Sequence, residues 1–241
     1  MANKFSASRT VERRFGVELR KVARVIGAMI NAHIDGPTIR DQTKLAQALK
    51  DYSEAIGPWA SKVVGNLLKE VSRSNKKAWE SQSLRIGAQM KNMMSEAAIG
   101  ATVQLLHNRQ VELIKSLPLE AGLRAQKLAQ EAAIDGRRAD EVAAELMRTE
   151  QVTASRATLI ARTEIAKANA AITQSRAQYV GATHYIWRTA EDGDVRESHA
   201  EMNGKVFRFD DPPYVEGEGN HGPGEFPNCR CYAEPIIPGT E

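Results

Sequence analysis

The sequence predicts a mainly α protein: an elongated helical N-terminal region followed by a small C-terminal α+β module with short antiparallel strands and a long loop. Two observations favour this fold class. Aromatic residues make up only 5% of the 241 residues, and Ala, Leu, Glu, Lys and Arg are frequent, which favours helices over a sandwich or a barrel. The apolar spacing changes from threes and fours to short β-rich runs after Gly181.

The helices are predicted from apolar residues that recur every three or four positions. Breaks are expected at Gly36-Pro37 and Gly57-Pro58, Pro118 is expected to begin a new helix, and Gly181 is expected to end the last one, which Thr153 or Ser155 would cap. The predicted helices cover residues 9–34, 41–56, 59–71, about 74–115, 118–136, 138–149 and about 153–179.

The C-terminal module is predicted to contain three strands, at residues 184–189, 205–209 and 229–235. Residues 210–228 are dense in Pro, Gly and acidic residues, which predicts a long loop between the second and third strands. Large apolar side chains are few here, so we expect a metal or a larger partner to stabilise the module.

The net charge of +3 conceals an asymmetry. Residues 1–188 contain 29 Lys and Arg against 18 Asp and Glu, a balance of +11, whereas residues 189–241 contain 4 against 12, a balance of −8. A basic helical body suggests nucleic acid or an acidic protein surface nearby, although a solvated charged helix surface gives the same composition.

Several classes of protein are disfavoured. The two cysteines provide no disulfide framework, no stretch approaches the roughly 20 apolar residues of a membrane helix, and the N-terminus lacks the apolar core of a signal peptide. We therefore expect a cytoplasmic protein without membrane contact. The sequence contains no Gly-rich phosphate loop, Ser/His/Asp pattern or calcium loop.

Cys229 and Cys231 are separated by one residue, which places both side chains on one side of an extended segment. Two thiolates so placed can converge on one ion, and His199 and His221 could complete a Cys2His2 zinc set, or Asp192 or Asp194 could supply an oxygen. Packed free thiols and a strained disulfide are the alternatives. His199 could equally bond Asp192 or Glu201, or act as a base.

The helix at about 153–179 carries polar residues among apolar ones. Arg162 and Glu164 are either surface charges or members of buried ion pairs that tie the helix to the terminal module. We expect Arg162 to reach an acid near Asp192, and Glu164 to bind a backbone group or an arginine. Trp187 is expected to lie in the core under the loop.

These residues together carry a resemblance to a known family. The shared pattern comprises Ala161-Arg162-Thr163-Glu164, Asn169, Trp187, Asp192, Val195, Arg196, His199, Asn203-Gly204 and Asn228-Cys229-Arg230-Cys231. Over about residues 135–236 the chain resembles the phage Mu F-like head morphogenesis domain, found in the minor head proteins of tailed bacteriophages. The resemblance implies a helical region at 1–134, facing the portal or DNA, and a Mu F-like domain at 135–241.

The resemblance also implies a function. It predicts a non-enzymatic minor capsid protein, present in several copies at the portal vertex inside the head, that assists procapsid assembly and DNA packaging or ejection. The implied partners are the portal protein, the major capsid or scaffolding protein and packaged DNA. The implied locations are the virion and, during assembly, the host cytoplasm. A metal-dependent nuclease or hydrolase and a DNA-binding accessory protein are the alternative hypotheses.

The chain departs from the family pattern at two positions. Many relatives carry C-x-x-C where this chain has Arg196-Glu197-Ser198-His199, and often a histidine where Phe226 stands. The zinc site is therefore an expectation that rests on His199, His221, Cys229 and Cys231.

Overall fold

The computed structural model describes residues 5–35, 38–39, 42–83, 99–135 and 138–238. A mainly α fold with a small strand-containing C-terminal region is confirmed. The helices are α1 (Arg9–Ala32), α2 (Gln42–Ala55), α3 (Gly57–Ser83), α4 (Gly100–Asp135), α5 (Ala139–Met147), α6 (Thr149–Tyr179) and the short α7 (Glu197–Ala200).

Within the described residues the strands form three small antiparallel sheets. They are β1 (Ile34–Asp35), β2 (Thr38–Ile39), β3 (His184–Arg188), β4 (Val206–Arg208), β5 (Tyr214–Val215), β6 (Gly219–Asn220) and β7 (Tyr232–Ile236). In the largest sheet β3 lies between β4 and β7, with Tyr185 opposite Phe207 and Trp187 opposite Ala233. The three strands predicted in the C-terminal module are therefore confirmed.

Two short hairpins were not predicted. β1 and β2 pair at the break expected between the first two predicted helices, where no strand was predicted, and β5 and β6 pair inside the expected long loop. Each strand has only two residues, too few to show a period-2 pattern in the sequence. The break expected at Gly36-Pro37 lies outside the described residues.

Three predicted helix boundaries are wrong. α6 begins at Thr149, so neither Thr153 nor Ser155 caps it, and Thr153 Oγ1 instead donates to the Thr149 carbonyl oxygen at 2.7 Å. α3 continues past residue 74 to Ser83, and Pro118 lies inside α4 instead of beginning a helix. Proline removes one backbone N–H and crowds the carbonyl of the residue four positions earlier, here Ile114. The side chains of Ile114, Leu117 and Ala121 are all buried, so packing of the face that contains Pro118 outweighs this cost.

Contacts divide the chain into two compact units that alternate along the sequence. The first comprises Met1–Arg13, Gly65–Asn108 and Arg162–Glu241, and the second comprises Arg14–Val64 and Arg109–Ala161. The second unit is helical apart from the β1–β2 hairpin, and its core is made of apolar side chains at helical spacing, among them Phe15, Leu19, Ile26, Leu49, Ile114 and Leu146. The boundary predicted near residue 134 stays a prediction.

The first unit packs the C-terminal part of α6 against the segments around it. Its helical core includes Trp79 and Phe5, whose rings meet edge to face at 5.3 Å, with Ala177, Tyr232 and Ile237 around them. Beneath this cluster Arg176 donates to Asn75 Oδ1 at 2.7 Å, and Asn169 donates to the Phe5 carbonyl oxygen at 2.6 Å. Buried polar groups paired in this way fix the N-terminal segment on α6.

The end of α6 directs the chain into the C-terminal sheet. Gly181 adopts a φ of +77°, as predicted for the residue that ends this helix, and Gly181 N–H donates to the Gln178 carbonyl. Ala182 N–H donates to the Ala177 carbonyl at 2.8 Å, which completes a Schellman motif. β3 begins two residues later. Among the described residues, no helix combines the length and the apolar character that a membrane crossing requires.

Candidate metal centre

β3 supplies the floor of the site. Its side chains alternate, and Tyr185 and Trp187 both point into the core, where Trp187 is fully buried. The backbone N–H of Trp187 donates to the Lys205 carbonyl, and the Trp187 carbonyl accepts from the Gly204 N–H. Residues 189–203 therefore form a loop that leaves the sheet after β3 and returns to it, and we call this loop the excursion after β3. This excursion carries Asp192, Arg196 and His199.

Asp192 lies in the turn that follows β3. Its two carboxylate oxygens accept from Arg230, Oδ2 at 2.6 Å and Oδ1 at 2.8 Å, the two-pronged geometry that guanidinium and carboxylate groups favour. Asp194 Oδ2 lies 3.0 Å from Arg230 Nη2, and Arg9 also contacts Asp192, at 3.2 Å. Because Arg230 separates the two cysteines, this pair ties the turn to the Cys229–Cys231 segment.

The Cys229–Cys231 segment is also fixed to α6. Asn228 adopts a φ of +61°, and its N–H donates to Thr163 Oγ1 at 3.2 Å. Gly224, with a φ of +89°, lies so close to the Cys231 and Ala166 carbonyl oxygens that a Cβ would lie 3.1 Å and 3.4 Å from them. The segment therefore rests directly on the helix that carries the Arg162–Glu164 motif.

Three of the four predicted ligands come together. His199 Nδ1 lies 3.4 Å from Cys229 Sγ and 3.5 Å from Cys231 Sγ, and all three side chains are buried. Zinc–sulfur and zinc–nitrogen bonds of ordinary length at a tetrahedral angle separate the two donor atoms by about 3.5 Å. The three donors therefore fit a single zinc ion. The cysteines are free thiols in this structure, so the disulfide alternative is not realised.

His221 occupies a different position from the one predicted. It does not join the sulfur cluster; its Nε2 lies 2.9 Å from Glu218 Oε2, and the same oxygen lies 2.8 Å from His199 Nε2. Glu218 lies in the tight β5–β6 turn, whose neighbours Gly217 and Gly219 both have positive φ. A metal-binding histidine commonly donates its second N–H to a carboxylate, and Glu218 meets that requirement for His199.

Burial and the hydrogen bonds among Cys229, Cys231 and His199 shift the pKa values of all three side chains. Hydrogen bonds from Cys231 and His199 outweigh burial and lower the pKa of Cys229 to about 4. The hydrogen bond to Cys229, together with burial, raises the pKa of Cys231. The pKa of His199 is raised chiefly by its hydrogen bond to Cys229, against the opposing effect of burial. Cys229 is thus the thiolate of the pair, the form that binds metals.

The two departures from the family pattern lie against each other. The Arg196 guanidinium is 5.2 Å from the centre of the Phe226 ring, within range of a cation–π contact. Arg196 also lies 3.2 Å from Glu218 Oε1 and donates to the Pro227 carbonyl at 2.8 Å. Arg196 therefore holds Glu218, and through it His199, instead of supplying a ligand.

The space at the centre is small. A cavity of about 10 Å³ lies among Asp194, Arg196, His199 and the two cysteines, about enough for one water molecule and too small for an organic substrate. Glu218, the carboxylate that contacts His199, is engaged by two histidines and an arginine. A hydrolytic ion needs an accessible position for its substrate, which this small space does not provide, and the three protein donors leave one tetrahedral position for a further ligand.

Arg162, Glu164 and Asn169 lie on α6, and the partner of Arg162 differs from the one predicted. Arg162 Nε contacts Glu12 Oε1 at 3.4 Å, so the predicted pairing with an acid near Asp192 is wrong; Arg230 occupies that role. Glu164 is buried on α6, and Asn169 binds the Phe5 carbonyl and accepts from Asn75. Glu218 was not singled out from the sequence, where nothing separates it from the other acids of residues 210–228. Arg230 was named only as part of the Asn228–Cys231 pattern, with no role of its own.

Comparisons with known proteins agree with this picture. Residues 124–234 match the family described as phage Mu protein F like protein. This match confirms the predicted resemblance to the phage Mu F-like family over residues 124–234. An uncharacterised protein of Haemophilus influenzae is 35% identical over 139 residues, which cover 58% of this chain and 30% of that protein. The chain thus spans under a third of that relative's length, and no solved structure matches it.

The match suggests a phage head morphogenesis protein. The family is a structural and morphogenetic one. The matched region contains every residue of the candidate metal centre, from His199 to Cys231.

Proposed function

We propose that this chain is a minor head protein that acts at the portal vertex inside the head, in several copies, and assists procapsid assembly without catalysing a reaction. The observation that carries the proposal is the Mu F-like match over residues 124–234. The buried character of the best-formed polar cluster supports a structural role, since its cavity cannot take a substrate.

The charge distribution supports the proposed placement. The excess of basic residues in 1–188 suits a surface near packaged DNA or an acidic surface of the portal, scaffolding or major capsid protein. The acidic character of residues 189–241 suits a docking surface away from DNA. Assembly would take place in the host cytoplasm and leave the protein in the virion.

The test is a phage that carries a stop codon early in this gene, compared with the same phage complemented in trans. The minor head role predicts that the protein copurifies with wild-type heads, in far fewer copies than the major capsid protein, and resists external protease until the heads are opened. Cryo-EM without imposed symmetry would then place it at the portal. Its absence from heads, or its presence on the tail alone, would contradict the proposal.

We further propose that one zinc ion joins His199, Cys229 and Cys231 and stabilises the C-terminal module. The support is the agreement between the 3.4 and 3.5 Å nitrogen–sulfur separations and tetrahedral zinc geometry, with Glu218 behind His199. The ion would connect the excursion after β3 to the start of β7. Loss of zinc on Cys229→Ser, with unchanged zinc content in Ser198→Ala, is the expected result.

A nuclease assay separates this role from the hydrolase hypothesis. Purified protein with zinc, magnesium or manganese should leave plasmid DNA intact. Cleavage that disappears in His199→Ala would instead favour the metal-dependent nuclease.

A further inference from the structure

A second polar cavity lies in the first unit, apart from the sulfur cluster. It measures about 430 Å³ and lies among the N-terminal segment of α1, α6 and the turn after β3. Three arginines and one carboxylate are its charged lining residues: Arg9, Arg162, Arg230 and Glu12. The arginines lie far apart in the sequence, so folding alone gathers them. We refer to this cavity as the arginine cleft.

The arginine cleft already binds carboxylates of its own chain. Asp192 accepts from Arg230 at 2.6 and 2.8 Å and from Arg9 at 3.2 Å. Glu12 contacts Arg162 through Nε at 3.4 Å, which is long for a charge-assisted hydrogen bond. Arg9 and Arg162 are therefore held only weakly by these internal carboxylates, and a better-placed anion can displace Glu12.

The remaining lining narrows the class of anion. The methyl groups of Ala7, Ala166 and Ala190 share the cleft with the hydroxyls of Ser8 and Ser74. A wall that combines methyl groups, hydroxyls and guanidinium groups suits the side chain of Asp or Glu, whose carboxylate ends an apolar stem. A volume of about 430 Å³ falls in the range of enclosed ligand sites, whereas the phosphates of duplex DNA spread their charge along an axis and are met by extended cationic stripes.

We propose that the arginine cleft binds a short acidic segment of a partner protein, whose carboxylates take the place of Glu12 on Arg162 and supplement Asp192 on Arg9. The proposal goes beyond the head protein role, because it requires neither zinc nor a particular position in the virion. It identifies the partner surface by its chemistry: consecutive or alternating carboxylates on a chain slender enough to enter the cleft.

The test uses the full-length protein and a fluorescein-labelled peptide of alternating glutamate and alanine, followed by fluorescence anisotropy at low and at physiological salt. Arg9→Gln combined with Arg162→Gln is expected to weaken binding at least tenfold. Glu12→Gln is expected to strengthen binding severalfold, because it removes the internal competitor for Arg162. Arg208→Gln, which removes an exposed arginine paired with Asp210 outside the cleft, should bind like the wild-type protein.

The Glu12 variant protects the test from a folding artefact, since a merely damaged protein would not bind more tightly. Equal peptide affinity in the wild-type protein and the Arg9/Arg162 variant would overturn the proposal. So would a preference for a single-stranded or duplex oligonucleotide that the same two arginines control, because the cleft would then be a nucleic-acid site. Displacement of the peptide by millimolar inorganic phosphate with the same variant dependence would support a site for compact anions on these arginines.

Discussion

The Glu218 carboxylate lies 2.8 Å from Nε2 of His199, on the opposite side of the imidazole ring from the two cysteine sulfurs. With Nε2–H donated to Glu218, loss of the Nδ1 proton that the Cys229 hydrogen bond holds leaves the Nδ1 lone pair pointing towards Cys229 and Cys231. The carboxylate thus selects the tautomer that can bind a metal, and Arg196 and His221 hold the carboxylate in turn.

Glu218→Gln should weaken zinc binding by about 10- to 100-fold, the range for loss of a carboxylate that supports a ligand. A competition titration against a chelator of known affinity measures the change. Glu216→Gln, an exposed residue two positions away, is the matched control and should bind zinc like the wild-type protein. Identical affinities for the two variants would show that Glu218 does not support the ligand.

Zinc affinity should fall as the pH falls. The raised pKa values of Cys231 and His199 mean that protons must leave these groups before both can bind an ion, while Cys229, with its lowered pKa, is already a thiolate at neutral pH. With about one to two protons released per ion, affinity should drop about 10- to 100-fold per pH unit. Chelator competition at several pH values between 7.5 and 5.5 measures the slope. A flat profile would exclude these ligands.

Gly224→Ala should destabilise the C-terminal module by about 1–3 kcal/mol, because a side chain there is strained at positive φ and crowds the Cys231 and Ala166 carbonyls. Thermal unfolding followed by near-ultraviolet circular dichroism, to which Trp187 contributes together with Trp59 and Trp79, measures the loss. Gly193→Ala is the control, since a Cβ at Gly193 meets no atom within 4 Å and its φ is not positive. Equal melting temperatures for both variants would contradict this packing.

Arg176→Ala should lower the free energy of unfolding by about 3 kcal/mol. Arg176 is 1% exposed and donates to Ser72 and Asn75, so its removal leaves a cavity and buried acceptors that lose their donor. Chemical denaturation provides the measurement. Arg156→Ala breaks an exposed pair with Glu120 and should cost under about 1 kcal/mol. A similar loss of free energy of unfolding in both variants would show that Arg176 contributes no more to stability than an exposed arginine does.

The helical regions and the pairing of the two cysteine side chains could be predicted from the sequence, because both depend on short-range patterns of residues. Apolar residues that recur every three or four positions identified the helical regions. The single residue between Cys229 and Cys231 indicated that their thiols lie together, and the structure places them near His199. The helix start predicted at Pro118 was wrong, because burial of the apolar residues on both sides of Pro118 outweighs the preference of proline for the first turn of a helix. The roles of Glu218 and Arg230 were not predicted, because they depend on contacts with residues 19 and 38 positions away, which no local pattern encodes.

For Arg162 the location was predicted from the sequence, but the partner was not. Its position beside the terminal module was anticipated, but its partner is Glu12, 150 residues earlier, while Arg230 pairs with Asp192. Several basic and acidic groups meet in this region, and only the folded geometry decides which of them pair.

The most direct measurement is the metal content of the purified full-length protein, determined by mass spectrometry of the metal alongside the protein concentration. One zinc ion per chain is expected for the wild-type protein, with loss of that ion in both Cys229→Ser and His199→Ala and full retention in Ser198→Ala. A wild-type protein that contains no zinc after growth with zinc and purification without chelators would contradict the proposed centre. So would zinc retained in full by the Cys229 and His199 variants.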